Sequence, residues 1–272
     1  YGRDVVEIDL LKRVEVLKGP SSALYGSDGL AGAVAYTTKD PSDYLDESQF
    51  HLSSGARYDS SSDRNKFSIL AAGIHGNLEA MVQVVDHSLS ERNLHDDVIM
   101  SANGLDGAQE SLFSKFKYNL NDSISFTLTV DEQNWNGDWN VATDVGMSYF
   151  PSVVNTSSSL GQDRGFRDRY SLDIDFNINS IFAESASVKF YSQTTEQSQM
   201  TTKEKQTFGR GPQFGPTSMV AEISNYHFNQ EVTGISAQLS NSFKTIFGHE
   251  HDLVYGFENE SIETQRPRSK LN

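Results

Sequence analysis

The strongest constraint on this chain is a period of two. Between Ser123 and Gln133, Ile124, Phe126, Leu128 and Val130 alternate with Ser125, Thr127 and Thr129. Successive side chains of a strand point to opposite faces, so this segment is a strand with one apolar and one polar face. The texture recurs from Gln49 to Ile262, in nine segments: 49–58, 65–74, 78–87, 110–119, 123–133, 166–178, 183–196, 224–243 and 251–262. In the eighth, the apolar parity shifts between Val232 and Ile235 beside Gly234, which predicts a β-bulge there.

The connections are sorted by length. Those at 75–77, 119–122, 179–182 and 244–250 are short. Those at 88–109, 134–165 and 197–223 are long and rich in Gly, Ser, Asn and Asp. A transmembrane β-barrel sorts its connections this way, with tight turns on the periplasmic rim and long loops outside. A soluble β-sandwich or a surface adhesin can show the same strand period, with its apolar face turned to a core instead of lipid. Periodicity alone leaves both open. No apolar run approaches the roughly 20 residues of a membrane-spanning helix. Barrel strands, apolar at alternate positions only, escape that test. Trp135, Trp139, Tyr149 and Phe150, just past the fifth segment, suit either an aromatic girdle or the anchors of a folded loop.

Composition narrows the partners. The 272 residues carry a net charge of −15 and no cysteine. Nucleic acid, which needs a basic face, is not an expected partner. Without disulfides, a secreted chain of this length needs a large core or a closed sheet. The chain opens at Tyr1 with no leader, and nine strands fall short of the roughly 22 of a plugged barrel. The expectation is a piece of a longer protein.

Upstream of the strands the texture differs. Arg13 to Lys39 reads RVEVLKGPSSALYGSDGLAGAVAYTTK. Val14 and Val16 begin a short strand that Gly19 and Pro20 stop. Pro20 suits the first position of a helical turn over 21–25. Gly26, Gly29 and Gly32 give a loop its freedom, and Ala33 to Thr38 resumes β character. The spacing is that of neither a P-loop nor a dinucleotide fingerprint. These residues resemble the C-terminal end of the plug domain of TonB-dependent outer-membrane receptors. The matching positions include Arg13, Glu15, Lys18, Gly19, Pro20, Tyr25, Gly26, Gly29 and Gly32. Ala35 to Pro41 resembles the branch of those receptors that takes iron from haem, haemoglobin, transferrin or lactoferrin.

The resemblance implies a fold, a partner and a place. The fold is mostly β: the end of an α/β plug over residues 1–41, a linker over 42–48, and a partial antiparallel transmembrane barrel over 49–272. The place is the bacterial outer membrane, with lipid around the barrel. The partner is TonB, whose pull on the plug opens a path. The cargo implied is an iron source, haem or a haem or iron-carrier protein first and a siderophore or other ligand second. Haem would be cargo, with no resident cofactor. Arg13, Glu15 and Lys18 would hold the plug to the wall through breakable ion pairs. No nucleophile elbow, zinc-protease motif or triad spacing is present, so no catalytic residue is assigned and an enzyme is not expected; an outer-membrane barrel hydrolase, closed at far fewer strands and without a plug, is the third reading. His95 lies in the first long loop, where capture would occur, with Trp135 and Trp139 as further ligand contacts. His75, His249 and His251 fall at turns on the other rim. Asp131, Glu132, Asp138 and Asp144 are close enough in sequence to ask about calcium, but no metal site is assigned.

Overall fold

A computed structural model describes residues 6–19, 32–45, 48–95, 102–150, 152–178, 180, 183–209, 215–244 and 249–271. Pro20, Tyr25, Gly26 and Gly29, with the helical turn expected over 21–25, lie outside them. The first part is a hairpin of β1 (Leu11–Lys18) and β2 (Gly32–Thr38), flanked by 3-10 turns at Ile8–Leu10 and Pro41–Asp43. The rest is one antiparallel sheet. Its strands are β3 (Phe50–Asp59), β4 (Arg64–His75), β5 (Leu78–Ser90), β6 (Gly104–Asn121), β7 (Ile124–Asn140), β8 (Gly146–Ser148), β9 (Val153–Asn177), β10 (Ser185–Phe208), β11 (Ser218–Lys244), β12 (Glu250–Gln265) and β13 (Arg268–Leu271). Nine of them pair in chain order from β3 to β12, with short β8 added to β9 and β13 to β11.

All nine expected strands are present, but those on the loop side are longer than expected. β9, β10 and β11 run for 25, 24 and 27 residues. At roughly 3.3 Å per residue each spans about 80 Å, far more than a bilayer needs. The added stretches 153–165 and 197–208 are mostly polar on both faces, and 218–223 carries Met219, Val220, Ala221 and Ile223 on both faces, so none shows an apolar alternation. The long connections shrink to 91–103, 141–152 and 209–217.

The expected bulge at Gly234 is absent. Pairing of β11 with both neighbours runs unbroken through that residue. Val232 is simply an inner-face residue opposite Ile262. Gly234 is small for another reason: Tyr191 stands opposite and its ring covers the position a Cβ would take. The register instead slips between β9 and β10, where Ser157 is the extra residue beside Glu204 and Lys205.

The two faces of the sheet are opposites. The described residues of the first part, 6–19 and 32–45, sit on one face, here called inner, with Leu10, Tyr44, Leu45 and Asp40 against Leu70, Ala72, Met81, Phe113 and Lys115. Outer-face side chains line up in apolar rows. One row is Phe116, Leu128, Leu172, Phe190 and Ile235, directly opposite one another across five strands. The first four are 37–44% exposed, whereas inner-face Gln133 is fully buried. On β7 the belt runs from Ile124 to Val130, about 20 Å along the strand, close to the apolar band of outer-membrane barrels. Glu132 and Asp168 then end it on the loop side. A soluble sandwich would bury these rows and expose the polar face, so this arrangement fits a barrel wall in lipid.

The turn from β3 to β4 is held by one carboxylate. Asp59 Oδ1 accepts from the Ser61 amide at 3.0 Å and the Ser61 hydroxyl at 2.7 Å. Its Oδ2 accepts from Arg64 at 3.0 Å. The Ser61 bonds, first, and Arg64 hold its pKa down at about 2, below the ordinary value near 4. A lowered acid contributes stability above its unfolded pKa and loses it as pH falls through the folded one. A carbon-13 carboxyl titration of Asp59 should therefore have its midpoint near 2. A midpoint near 4 would mean the turn does not form in solution.

Candidate functional site

The site is where the end of the first segment meets the inner wall. Glu7 precedes the turn Ile8–Leu10, and its Oε1 accepts from the Asp9 amide at 3.1 Å. That cap holds a carboxylate that is only 3% exposed. Lys66, reaching from β4, donates to Glu7 Oε1 at 2.6 Å and pairs with Asp9 Oδ2 at 2.9 Å. His87 of β5 places Nε2 3.6 Å from Glu7 Oε2, beyond hydrogen-bond reach. Beside this polar knot, Leu10 is buried among Leu70, Ala72, Met81 and Phe113, with Tyr44 and Leu45 at the edge. Burying a leucine contributes roughly 1.5–3 kcal/mol. A second tie follows β2. Lys115 of β6 donates to Asp40 Oδ1 at 2.8 Å and to Thr38 Oγ1 at 3.0 Å.

The motif charges are placed elsewhere. Arg13 and Glu15 pair with each other at 3.0 Å on the exposed surface of β1. Lys18, beside Gly19, pairs across the hairpin with Gly32. Among the described residues, the ion pairs that reach the wall belong to Glu7, Asp9 and Asp40, which have no conspicuous place in the motif. Their wall partners did leave a signal. Lys66 and Lys115 are long cations on inner faces of otherwise alternating strands, where only a lumen or a facing carboxylate accommodates them.

Between the hairpin and the wall lies a polar cleft of about 450 Å³. Tyr36, Thr38 and Asp40 form one side, and Asp131, Arg169 and Asp173 lie on the other. Further toward the loops the inner wall stays polar. Arg167 donates to Asp131 at 2.6 Å, and Gln133 donates to the same carboxylate at 3.1 Å.

Trp135 and Trp139 stand on this inner face too. The Trp135 ring covers Gly165 of β9, where a Cβ would collide with it. Trp139 Nε1 donates to Asp163 at 2.9 Å. They anchor the wall from inside, so of the two readings for the tryptophans the girdle is the one to drop. Exposed aromatics flank the outer belt, among them Tyr118, Phe243 and Tyr255 toward the turns and Tyr58 and Tyr170 toward the loops. Tyr149 and Phe150 lie exposed in the loop after β8. His95 is exposed in the 91–103 loop.

The acids considered for calcium are dispersed. Asp131 is taken by Arg167, Glu132 accepts from Tyr170 on the outer face, Asp138 pairs with Arg164, and Asp144 pairs with Lys203. Lys203, and with it the Ser159 hydroxyl, holds Asp144 below the ordinary carboxylate range. Among the described residues no group of His, Asp and Glu is arranged to hold a metal ion.

Comparison with known proteins bears on this geometry. The family model of the TonB-dependent receptor plug domain matches residues 1–33. A haemoglobin and haemoglobin–haptoglobin-binding protein of Haemophilus ducreyi is 29% identical over 140 residues, which are 48% of this chain and 14% of that protein. A hemin receptor of Yersinia pestis is 48% identical over 40 residues, 15% of this chain and 6% of that protein. Among solved structures, BauA, the ferric preacinetobactin receptor of Acinetobacter baumannii, superposes with a TM-score of 0.51. That likeness is one of fold, at 14% identity, and covers 97% of this chain and 49% of that one. The chain thus spans about half the length of the receptor it superposes on.

Proposed function

We propose, from the premise that this chain carries the plug end and adjoining barrel strands of a TonB-dependent outer-membrane receptor, that the receptor binds haem or a haem protein at the outer face and imports its iron source. The import draws on energy delivered through TonB, and no bond of the cargo is broken by the chain itself. The observation that supports this reading is the tie of Glu7, Leu10 and Asp40 to the inner face of a sheet whose outer face is apolar. A plug end tied to the lumen side of such a wall is what a channel opened by a pull requires. The two curated relatives compared above are named for haemoglobin and hemin, which supports the choice of cargo.

In this reading the cargo meets the tall walls of β9, β10 and β11 first. Trp135 and Trp139 stiffen that wall at the mouth, and His95 offers an imidazole in a loop above it. The ties from Lys66 and Lys115 hold the plug end until it is pulled. Ion pairs suit that role better than apolar packing alone, because they give little net stability yet fix one register.

Titrating the full-length receptor with haem tests the cargo. The Soret band should shift and sharpen with a saturable endpoint. A flat titration would remove free haem and leave a haem protein as the candidate. A siderophore is the alternative cargo, and growth on ferric siderophores but not on haem or haemoglobin would favour it.

A further inference from the structure

The cleft between plug end and wall holds more charge than its ion pairs use. Asp131 is saturated: Arg167 takes Oδ2 at 2.6 Å and Gln133 takes Oδ1 at 3.1 Å. Asp173 is engaged by Lys189 at 2.9 Å and by the Ser171 hydroxyl at 3.2 Å. Asp40 is held by Lys115 at 2.8 Å. Arg169 stands directly opposite Asp131 in register, yet that carboxylate is bonded to its diagonal neighbour instead. Among the described residues Arg169 makes no ion pair and no hydrogen bond, and it is exposed to the cleft. The remaining acid of the cleft, Asp175, is six residues further along β9, about 20 Å away on an extended strand.

We propose that Arg169 is a docking point for a carboxylate of the cargo, at the last station before the plug. A guanidinium is always charged and presents a planar fork that matches a carboxylate. The hydroxyls of Thr129 and Ser171, facing each other on β7 and β9, line the same cleft. β9 runs from the loop side to the turn side, so Arg169 precedes Asp173 and Asp175 on the way in. Cargo that enters carboxylate-first meets the cation, while the acids below it disfavour deeper entry until the plug end moves. A cargo without an anionic group would gain nothing from this residue.

The inference rests on the haem reading, and one experiment separates the two. Full-length receptor is titrated with haem and with haem dimethyl ester, whose propionates are blocked, for wild type, Arg169→Gln and Arg169→Lys. Native folding of each variant is checked by heat-modifiable gel migration. The expected result is at least a tenfold preference of wild type for haem over the ester. That preference should fall to within about twofold in Arg169→Gln and be partly restored in Arg169→Lys. Equal binding of haem and ester by wild type, or unchanged preference in folded Arg169→Gln, overturns the role of Arg169 and leaves the haem reading intact. Should Arg169→Gln not fold, an unchanged preference in Arg169→Lys, which keeps charge but loses the fork, overturns the fork-specific docking. Failure of wild type to bind either compound removes free haem as the cargo, leaves a haem protein as the candidate, and overturns the role of Arg169 in docking a haem carboxylate.

Discussion

Replacing Lys66 with methionine should unseat the plug end. Glu7 is 3% exposed and Lys66 is its only cationic partner at hydrogen-bond distance among the described residues. The substitution keeps the stem of Lys66 but leaves two carboxylates, Glu7 and Asp9, facing each other without the ammonium. Removing one member of a buried pair costs roughly 3–5 kcal/mol, because the surviving charge stays desolvated. Lys66 is partly solvated, so the lower end of that range applies. At 1.4 kcal/mol per decade, the open state should gain about two orders of magnitude in population. In planar bilayers, full-length Lys66→Met receptor should show frequent open-channel currents where wild type is silent. Adding Glu7→Gln should remove most of that leak, since the buried charge goes with its partner. Arg13→Gln supplies the contrast. Its pair with Glu15 is exposed, and exposed pairs contribute at most about 1 kcal/mol. Equal leak from Lys66→Met and Arg13→Gln would refute the assignment of the tie to Lys66.

How far the fold can be read from the sequence depends on what each segment touches. Where one strand face meets lipid and the other water, as in Ile124–Val130, the alternation is complete and the strand is legible. Where both faces meet water, as in 197–208, nothing enforces a period and the strand looks like a loop. Gly234 misled for a related reason. Its parity shift is no backbone irregularity: a cross-strand ring, Tyr191, accounts for the small residue and an inner apolar pair accounts for Val232. The site was less legible than the fold. Arg13 and Glu15 are conspicuous in the motif, yet whether a charged residue pairs along its own strand or across to a wall depends on tertiary placement. Glu7 became important because a 3-10 turn aims it at β4, and neither the turn nor the facing lysine can be inferred from residues 59 positions apart. Trp135 and Trp139 had the right composition for a girdle. Their odd-numbered parity, shared with Thr127, Thr129 and Asp131, already placed them on the polar face.

Neighbours of opposite parity in one strand, Thr127 and Leu128, should respond differently to an added charge if lipid covers the outer face. Leu128 lies in the middle of the outer apolar belt, between Phe116 and Leu172, and is 44% exposed. Thr127 points the other way, into the polar cleft. An arginine on the lipid face near the bilayer midplane costs roughly 2–4 kcal/mol, whereas lumen positions tune selectivity with little effect on stability. Leu128→Arg should therefore lower the unfolding free energy of the full-length receptor in lipid vesicles by about 3 kcal/mol, read from urea titrations. Thr127→Arg should stay within about 1 kcal/mol of wild type, since its guanidinium reaches water and Asp173, which is opposite it in register. In a soluble sandwich the ranking would depend on which face formed the core. The outer face would be that core, and Leu128 would then be buried by a second layer. Transfer of the receptor from lipid to mild detergent separates these cases. The Leu128→Arg penalty should shrink in detergent, where the head group can reach water around a deformable micelle, while a core penalty would be the same in both. A penalty unchanged by the solvent around the belt would remove lipid as its partner.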